Sequence, residues 1–356
     1  AGVVMGTTAN KDLLAQNGLL TAEVETAAAD DLCIVVKAAD EAQAQAALAQ
    51  VDDLLRRRRH DGDQGYRPKS LATAATMLPE AQWVLVSVPG SYAAGVARQA
   101  LDLGKHVFLY SDNVPMEEEM ALKETAAAKG LLVMGPDCGT AIINGVGLGF
   151  ANRVRRGPIG LVAASGTGLQ TVSSRIHQLG SGITHALGTG GRDFSERVGA
   201  VTARQGLDLL ARDAETRVIV LISKPPAPAV AARVLQAARA TGKPVVIDFI
   251  GYVAETTRRE NLHFVRTLDE AAALAVELAD RTTPEMSTAL PPFAPSQRYL
   301  RGLYSGGTLA YEALLLLQDM LPGVYSNTPL DKTWALPNPM QSREHTVVDL
   351  GEDVFT

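Results

Sequence analysis

Short apolar runs alternate along the chain with longer, alanine-rich segments in which apolar and polar positions recur at helical spacing. The runs rich in Val, Ile and Leu are residues 31–36, 83–88, 106–110, 131–134, 159–163, 218–223 and 244–249. The amphipathic stretches are residues 39–59, 91–103, 115–129, 169–179, 228–240 and 268–279. Buried parallel strands joined by crossover helices have this pattern, which predicts an α/β fold.

A chain of 356 residues is long enough for more than one hydrophobic core. We expect one domain over residues 1–156 and a second over 157–285, followed by a Pro-rich linker at 286–296. Residues 297–356 repeat a strand, a small-residue turn and a helix. This third unit is too short for a typical α/β domain, so we expect that it is either cut short or completed by something outside the chain.

Composition narrows the partners and the compartment. The formal net charge of −6 and the lack of a basic stripe argue against nucleic acid. No apolar run is long enough to span a membrane, and the two cysteines cannot form a disulfide framework. A cytoplasmic protein is therefore expected. The six histidines show no metal-ligand spacing, so no protein-bound metal is predicted, while Mg²⁺ bound through a nucleotide stays open.

A small-residue turn after the apolar run at 159–163 is the first candidate site. It consists of Ser165, Gly166, Thr167 and Gly168. The glycines allow a ligand to approach the backbone, and the hydroxyls and the helix N-terminus favour a phosphate or similar anion. A second turn of the same kind consists of Ser305, Gly306, Gly307 and Thr308. The alternative interpretation is a simple helix cap without a ligand.

Two cations lie in further candidate loops. Gly190 and Gly191 could form a backbone anion nest beside Arg192, which would clamp a carboxylate or phosphate. The alternative is a surface ion pair between Arg192 and Asp193. Lys224 follows a predicted strand and would project a point charge into the same crevice, unless it is simply a solvated lysine.

The turn between the first two predicted domains is a further candidate site. It contains Asp137, Cys138, Gly139 and Thr140. Cys138 could be a nucleophile, although a small buried thiol is the more common case.

Several of these motifs carry a family resemblance. Residues 88–92, 111–115, 135–138, 164–167 and 190–193 resemble, in order and spacing, the α subunit of succinyl-CoA synthetase and the ADP-forming acyl-CoA synthetases. Within that superfamily, residues 133–140, 164–168, 182–186 and 223–226 resemble the FdrA group. The resemblance implies a Rossmann-like CoA-binding-type domain followed by flavodoxin-like succinyl-CoA-ligase-type domains.

Two segments depart from that superfamily. Its synthetases carry a phosphohistidine in a loop after the strand matched by residues 244–249, whereas this chain has GYVAETT at 251–257. The nearby His263 stands between Leu262 and Phe264, which favours a structural histidine. The glycine-rich loop that would hold CoA is replaced by residues 4–11.

The FdrA group resembles a subunit of oxamate carbamoyltransferase. The resemblance thus implies a subunit of a phosphate-dependent carbamoyl or acyl transferase that converts oxalurate and phosphate to oxamate and carbamoyl phosphate in purine and allantoin nitrogen catabolism. Phosphate would be a substrate, Arg192 and Lys224 would be the catalytic cations, and other subunits would complete a hetero-oligomer. Two alternatives stay open: an ADP-forming acyl-CoA synthetase that binds CoA and ATP or ADP, and a non-catalytic regulatory subunit that binds nucleotide or CoA.

Overall fold

The computed structural model describes residues 2–29, 31–51, 68–252, 254, 256–280, 297–352 and 355. The chain folds as two units, residues 1–68 and 69–356. The predicted linker at 286–296 lies outside the described residues. Among the described residues, no helix combines the length and the apolar composition that crossing a membrane requires.

The N-terminal unit is built on an antiparallel pair, β1 (Gly2–Met5) and β2 (Leu32–Val35). Its helices are α1 (Thr8–Gln16), α2 (Ala22–Thr26) and α3 (Glu41–Ala49). Helix α3 is the first part of the helix predicted at 39–59, and the last part of that prediction falls outside the described residues. The small core of this unit is formed by Leu14, Val24, Cys33 and Val35.

The second unit begins with a parallel α/β layer. Its strands are β3 (Trp83–Val86), β4 (His106–Leu109) and β5 (Val133–Met134), paired in that order. Its helices are α4 (Leu71–Met77), α5 (Gly90–Asp102) and α6 (Met116–Ala128). Alanines of α5 pack on β3 and β4, which is why this layer needs few large side chains.

A larger sheet follows, for which the described residues contribute eight strands. The first four strands in chain order are β6 (Thr140–Ile143), β7 (Val146–Gly149), β8 (Ile159–Ala163) and β9 (Ile183–Gly188). The later ones are β10 (Val218–Ser223), β11 (Val245–Phe249), β12 (Arg258–Arg259) and β13 (Leu262–Phe264). The order is β12-β13-β11-β10-β8-β9-β6-β7, with a parallel centre and antiparallel additions at both edges.

Helices cover both faces of this sheet. One face carries α8 (Val201–Arg212) and α9 (Pro228–Ala240), and the other carries α7 (Gly166–Gln178) and α10 (Leu268–Asp280). The predicted α/β fold is confirmed. Strands β6 and β7 come before residue 156 but join this sheet, and the unit boundary at residue 68 lies inside the first predicted domain. The predicted domain bounds remain predictions.

The C-terminal segment forms a three-stranded parallel sheet with the order β14-β16-β15. Its elements are β14 (Arg301–Tyr304), α11 (Gly307–Leu317), β15 (Tyr325–Ser326), a 3₁₀ turn (Lys332–Trp334) and β16 (Thr346–Asp349). Leu309, Tyr311 and Leu315 of α11 pack against the core between the large sheet, α7 and α10. Helix α11 therefore joins the C-terminal segment to the large sheet.

Candidate functional site

Two helix N-termini meet at the carboxyl ends of β8 and β14. The hydroxyl oxygens of Ser165 and Thr308 lie 2.8 Å apart and share a hydrogen bond, and both residues are buried. Ser165 Oγ also accepts the Gly168 N–H at 2.9 Å, so the residue caps α7. The capping role offered as the alternative interpretation is thus present, and it coexists with a contact between the two predicted turns.

The glycines of the second turn permit this close approach. A Cβ atom at Gly306 would lie 2.7 Å from Thr167 Oγ1, so a side chain there would separate the turns. A Cβ atom at Gly307 would lie 2.8 Å from Asp349 Oδ2 and 3.9 Å from Lys224 Nζ. Lys224 therefore lies beside the N-terminus of α11, in the same cluster as the two turns.

Asp349 is a member of this cluster that the sequence analysis missed. It is buried at the end of β16, and its Oδ1 accepts the Gly351 N–H at 2.9 Å. The Asn327 side chain binds its backbone, accepting the Asp349 N–H at 2.9 Å and donating to the Asp349 carbonyl at 2.8 Å. A carboxylate and an ammonium group thus face the same point at the start of α11. The available signal was an acid directly after a short apolar run.

The second predicted cation belongs to a different cluster. Arg192 Nε lies 2.9 Å from Glu119 Oε2, and its Nη2 donates to the Val114 carbonyl at 2.7 Å. The surface pair proposed between Arg192 and Asp193 does not form, because Asp193 is fully buried. Arg192 and Lys224 therefore serve different surroundings, and Arg192 is held by protein groups.

Asp193 binds a buried lysine instead. Lys123 Nζ lies 2.7 Å from Asp193 Oδ1 and 3.0 Å from Glu119 Oε1. The Asp193 carboxylate also accepts the N–H groups of Thr202 and Ala203 at 3.2 and 2.9 Å, in the first turn of α8. This ion network ties α6 to the loop after β9 and to α8. The sequence analysis did not predict this network.

The predicted nest and the predicted junction turn lie against each other. Gly190 has a φ of +84°, and a Cβ atom there would lie 2.5 Å from the Pro136 carbonyl oxygen. A Cβ atom at Gly191 would lie 4.0 Å from the carbonyl oxygen of Ala164, the residue just before Ser165. The nest and the junction turn are therefore close to the turn that begins at Ser165. The Thr140 hydroxyl accepts a hydrogen bond from Gln170 of α7 at 3.0 Å.

Burial decides the chemistry of the junction residues. The Cys138 thiol is buried, and desolvation raises its pKa to about 12, which favours the buried-thiol interpretation over a nucleophile. The pKa of Asp137 is also raised, first by burial and then by the charge of Asp112. Gly139 faces the Phe150 ring, and a cavity of about 380 Å³ opens between that ring and Asp137.

The loop after β11 holds no histidine in the sequence up to Leu262. His263 lies within β13, where its side chain is buried and desolvation lowers its pKa. A buried, neutral imidazole within a strand has the properties of a structural residue.

Three family profiles match successive parts of the chain. "AllF, heavy metal-associated domain" matches residues 1–70, "CoA binding domain" matches residues 155–251, and "CoA-ligase" matches residues 303–356. The described residues contain no group of three His, Cys, Asp or Glu side chains that could hold a metal ion. The fold and these matches define a protein with CoA-binding and CoA-ligase domains, which resembles the succinyl-CoA synthetase α subunit and the ADP-forming acyl-CoA synthetases.

Within that class, the chain belongs to the family of YahF, an uncharacterized protein of Escherichia coli (strain K12). The two are 42% identical over 366 residues, which cover 100% of this chain and 71% of YahF. The α subunit of an ADP-forming succinate–CoA ligase from Aquifex aeolicus (strain VF5) is 29% identical over 39% of this chain and 47% of that protein.

Solved structures share the fold. ATP citrate lyase from Methanothrix soehngenii, in complex with citrate and coenzyme A, matches with a TM-score of 0.50 and 17% identity. The match covers 64% of this chain and 44% of the lyase. The chain thus spans about half or less of the ligase and lyase relatives named here.

Proposed function

We propose that this chain is the phosphate-handling subunit of a group-transfer enzyme, with the anion held between the N-termini of α7 and α11. The observation that carries the proposal is the contact between Ser165 and Thr308 beside Lys224. Two helix N-termini, two hydroxyls and one ammonium group then surround one point, and all of them favour an anion. Phosphate enters by replacing the hydroxyl-to-hydroxyl bond with two hydroxyl-to-phosphate bonds.

The loop after β11 offers no histidine that could carry a phosphoryl group. We therefore favour a transfer reaction that needs no phosphoenzyme. The substrate class is a carbamoyl donor such as oxalurate, as in the oxamate carbamoyltransferase that FdrA proteins resemble. An oxygen of hydrogen phosphate attacks the carbamoyl carbon, and the bond from that carbon to the oxamate nitrogen breaks. The proton of hydrogen phosphate ends on the leaving nitrogen, which gives carbamoyl phosphate and oxamate. Lys224 neutralises the charge that develops on the carbonyl oxygen.

Asp349 orients Lys224 in this scheme. Its carboxylate faces the ammonium group at the start of α11 and is itself fixed by the Gly351 N–H. A carboxylate fixed at this position limits the motion of the lysine side chain. Arg192, held by Glu119 and the Val114 carbonyl, positions the loop after β9 instead of binding substrate. Partner subunits supply the remaining groups.

A second candidate is an acid–thiol ligase of the ADP-forming type. The CoA-binding and CoA-ligase matches and the succinate–CoA ligase relative favour it. The same two helix N-termini would then hold the phosphoryl group as it moves between ADP and the acyl group. CoA would accept the acyl group. This candidate needs a phosphoryl carrier other than histidine in the loop after β11.

One experiment separates the two candidates. The chain is purified with its copurifying subunits and incubated with labelled ATP, or with oxalurate and labelled phosphate. Carbamoyl transfer predicts labelled carbamoyl phosphate and no acid-labile phosphoenzyme. The ligase predicts the phosphoenzyme and CoA-dependent product instead. Full activity of the partner subunits without this chain would contradict both and would leave a regulatory subunit.

The anion site is tested by phosphate titration of Lys224→Met, with Lys332→Met as an exposed control outside the cluster. Loss of a charge-assisted hydrogen bond, about 1.5–3 kcal/mol, corresponds to a loss of affinity of at least about tenfold. The control is expected to bind phosphate as the wild type does. Equal affinity for phosphate in wild type and Lys224→Met would remove the proposed site.

A further inference from the structure

Asp248 is a buried carboxyl group that the proposed reaction does not use. It lies on β11, its relative exposure is 1%, and neither of its oxygens has a hydrogen-bond partner among the described residues. The other buried acids differ in this respect, because Glu119 and Asp193 pair with Lys123 and Asp349 accepts the Gly351 N–H. An ionised carboxylate without a partner is costly in such surroundings.

The groups nearest to Asp248 add to that cost. Asp248 is two residues from Val246 and from Ile250, so it faces the same core, between the sheet, α7, α10 and α11. Two further carboxyl groups act on it, Glu270 from α10 and Glu312 from α11. Glu312 also accepts the Leu268 N–H at 2.8 Å, which fixes α11 against the start of α10.

No described cation compensates this charge. Strand β10 carries no titratable side chain, and the neighbouring β13 carries His263, whose pKa is lowered by burial. The basic residues of α7 are Arg175 and His177 in its last turn, and Arg175 pairs with Asp269. Burial and then the charge of Glu312 raise the pKa of Asp248 to about 7.

Helix α11 packs on the core that contains Asp248 and also carries half of the proposed anion site. Leu309, Tyr311 and Leu315 pack into the core that contains Asp248. Thr308, the second residue of the same helix, contacts Ser165. Any opening that hydrates Asp248 from this side moves α11 away from the sheet and separates the two hydroxyls.

We propose that Asp248 is a proton-dependent switch: its neutral form permits α11 to pack on the large sheet, and loss of its proton releases α11 and parts Thr308 from Ser165. The switch stands on the packing of α11. Only its consequence for phosphate rests on the proposed function.

Amide hydrogen exchange of residues 307–317 in the full chain tests the switch between pH 5 and pH 8. An opening step that releases one proton becomes about tenfold more favourable per pH unit between the pKa of the open and packed forms, and is constant above the latter. After correction for intrinsic exchange, α11 is expected to lose protection about tenfold per unit up to pH 7 and then level off. Helix α9, on the opposite face of the sheet, is expected to show no such slope.

Two variants make the test specific. Asp248→Asn is expected to abolish the slope and to keep α11 protected at pH 8. Glu312→Gln keeps an acceptor for the Leu268 N–H and removes the charge that raises the pKa of Asp248, so the slope is expected to level off at a lower pH than in the wild type. A flat wild-type profile, or a slope that persists in Asp248→Asn, would overturn the proposal.

Inorganic phosphate is the probe for the effect of the switch on anion binding. If phosphate binds between the turns, its affinity is expected to fall as the pH rises towards 8 in the wild type more than in Asp248→Asn. Absence of phosphate binding at every pH would refute the proposed function while the exchange data still decide the switch. Phosphate affinity with the same pH profile in both proteins would refute the coupling.

Discussion

The hydroxyl groups of Ser165 and Thr308, 143 residues apart in the chain, share a hydrogen bond of 2.8 Å between two helix N-termini. A double-mutant cycle of Ser165→Ala and Thr308→Val measures this pair. The coupling free energy is expected to be about 1 kcal/mol, the usual net value of a hydrogen bond between neutral groups. Urea unfolding of the four proteins provides the measurement, and additive effects would show that the contact contributes nothing.

Gly306 allows the two turns to touch. Gly306→Ala is expected to weaken phosphate binding and the packing of α11, because the new Cβ would lie 2.7 Å from Thr167 Oγ1. Gly95→Ala, on α5 and outside the anion site, is the control, since a Cβ there meets nothing within 4 Å. Phosphate titration and thermal unfolding of both variants check this prediction. Equal behaviour of the two would argue against the close approach.

Lys123 sits at the centre of a fully buried ion network. Lys123→Met leaves Glu119 and Asp193 without their shared cation, and removal of one partner from a buried pair costs about 3–5 kcal/mol. Lys129→Met removes an exposed pair with Asp102 and is expected to cost at most about 1 kcal/mol. Urea unfolding compares the two. Similar losses would mean that the buried network is no more stabilising than a surface pair.

Asp248 makes stability depend on pH. Its pKa in the folded protein, about 7, lies above its ordinary value of 3.8, so the folded state binds this proton more tightly than the unfolded chain does. The contribution of Asp248 to stability is therefore greatest below pH 4, falls between pH 4 and 7, and is constant above pH 7. Asp248→Asn removes that fall. A shift of this size corresponds to roughly 4 kcal/mol at pH 8 and to nothing at pH 4.

Unfolding curves of wild type and Asp248→Asn at pH 4 and pH 8 measure this difference. A gain for the variant of equal size at both pH values would show that the substitution acts through packing instead of through the proton.

Cys138 is expected to resist alkylation. Burial raises the pKa of its thiol to about 12, so little thiolate forms in the folded protein at pH 8. Iodoacetamide with mass spectrometry is expected to label Cys138 only after unfolding. Rapid labelling of the folded chain at this residue would restore the nucleophile hypothesis.

The periodicity of the chain determined the α/β architecture. Long apolar runs such as residues 218–223 specify buried strands whatever surrounds them, and glycines after residues 103 and 129 end their helices through local geometry. The hairpin β6–β7 and strands β9 and β13 were not predicted, because they are short, contain glycine or, in β9, include the polar residues Thr184 and His185, and they depend on their neighbours in the sheet. The sequence also identified both small-residue turns, since the residues that form a turn are consecutive in the chain.

Tertiary structure alone decided which of these features meet. It placed Lys224 and Asp349 at the start of α11, sent Arg192 to Glu119, and buried Asp193 against Lys123. It also left Asp248 without a partner in the core. Contacts between residues far apart in the chain depend on how helices and sheets pack. The spacing of residues within a short segment does not predict that packing. The charge state of a buried group follows from those contacts, so it too is decided only in the folded molecule.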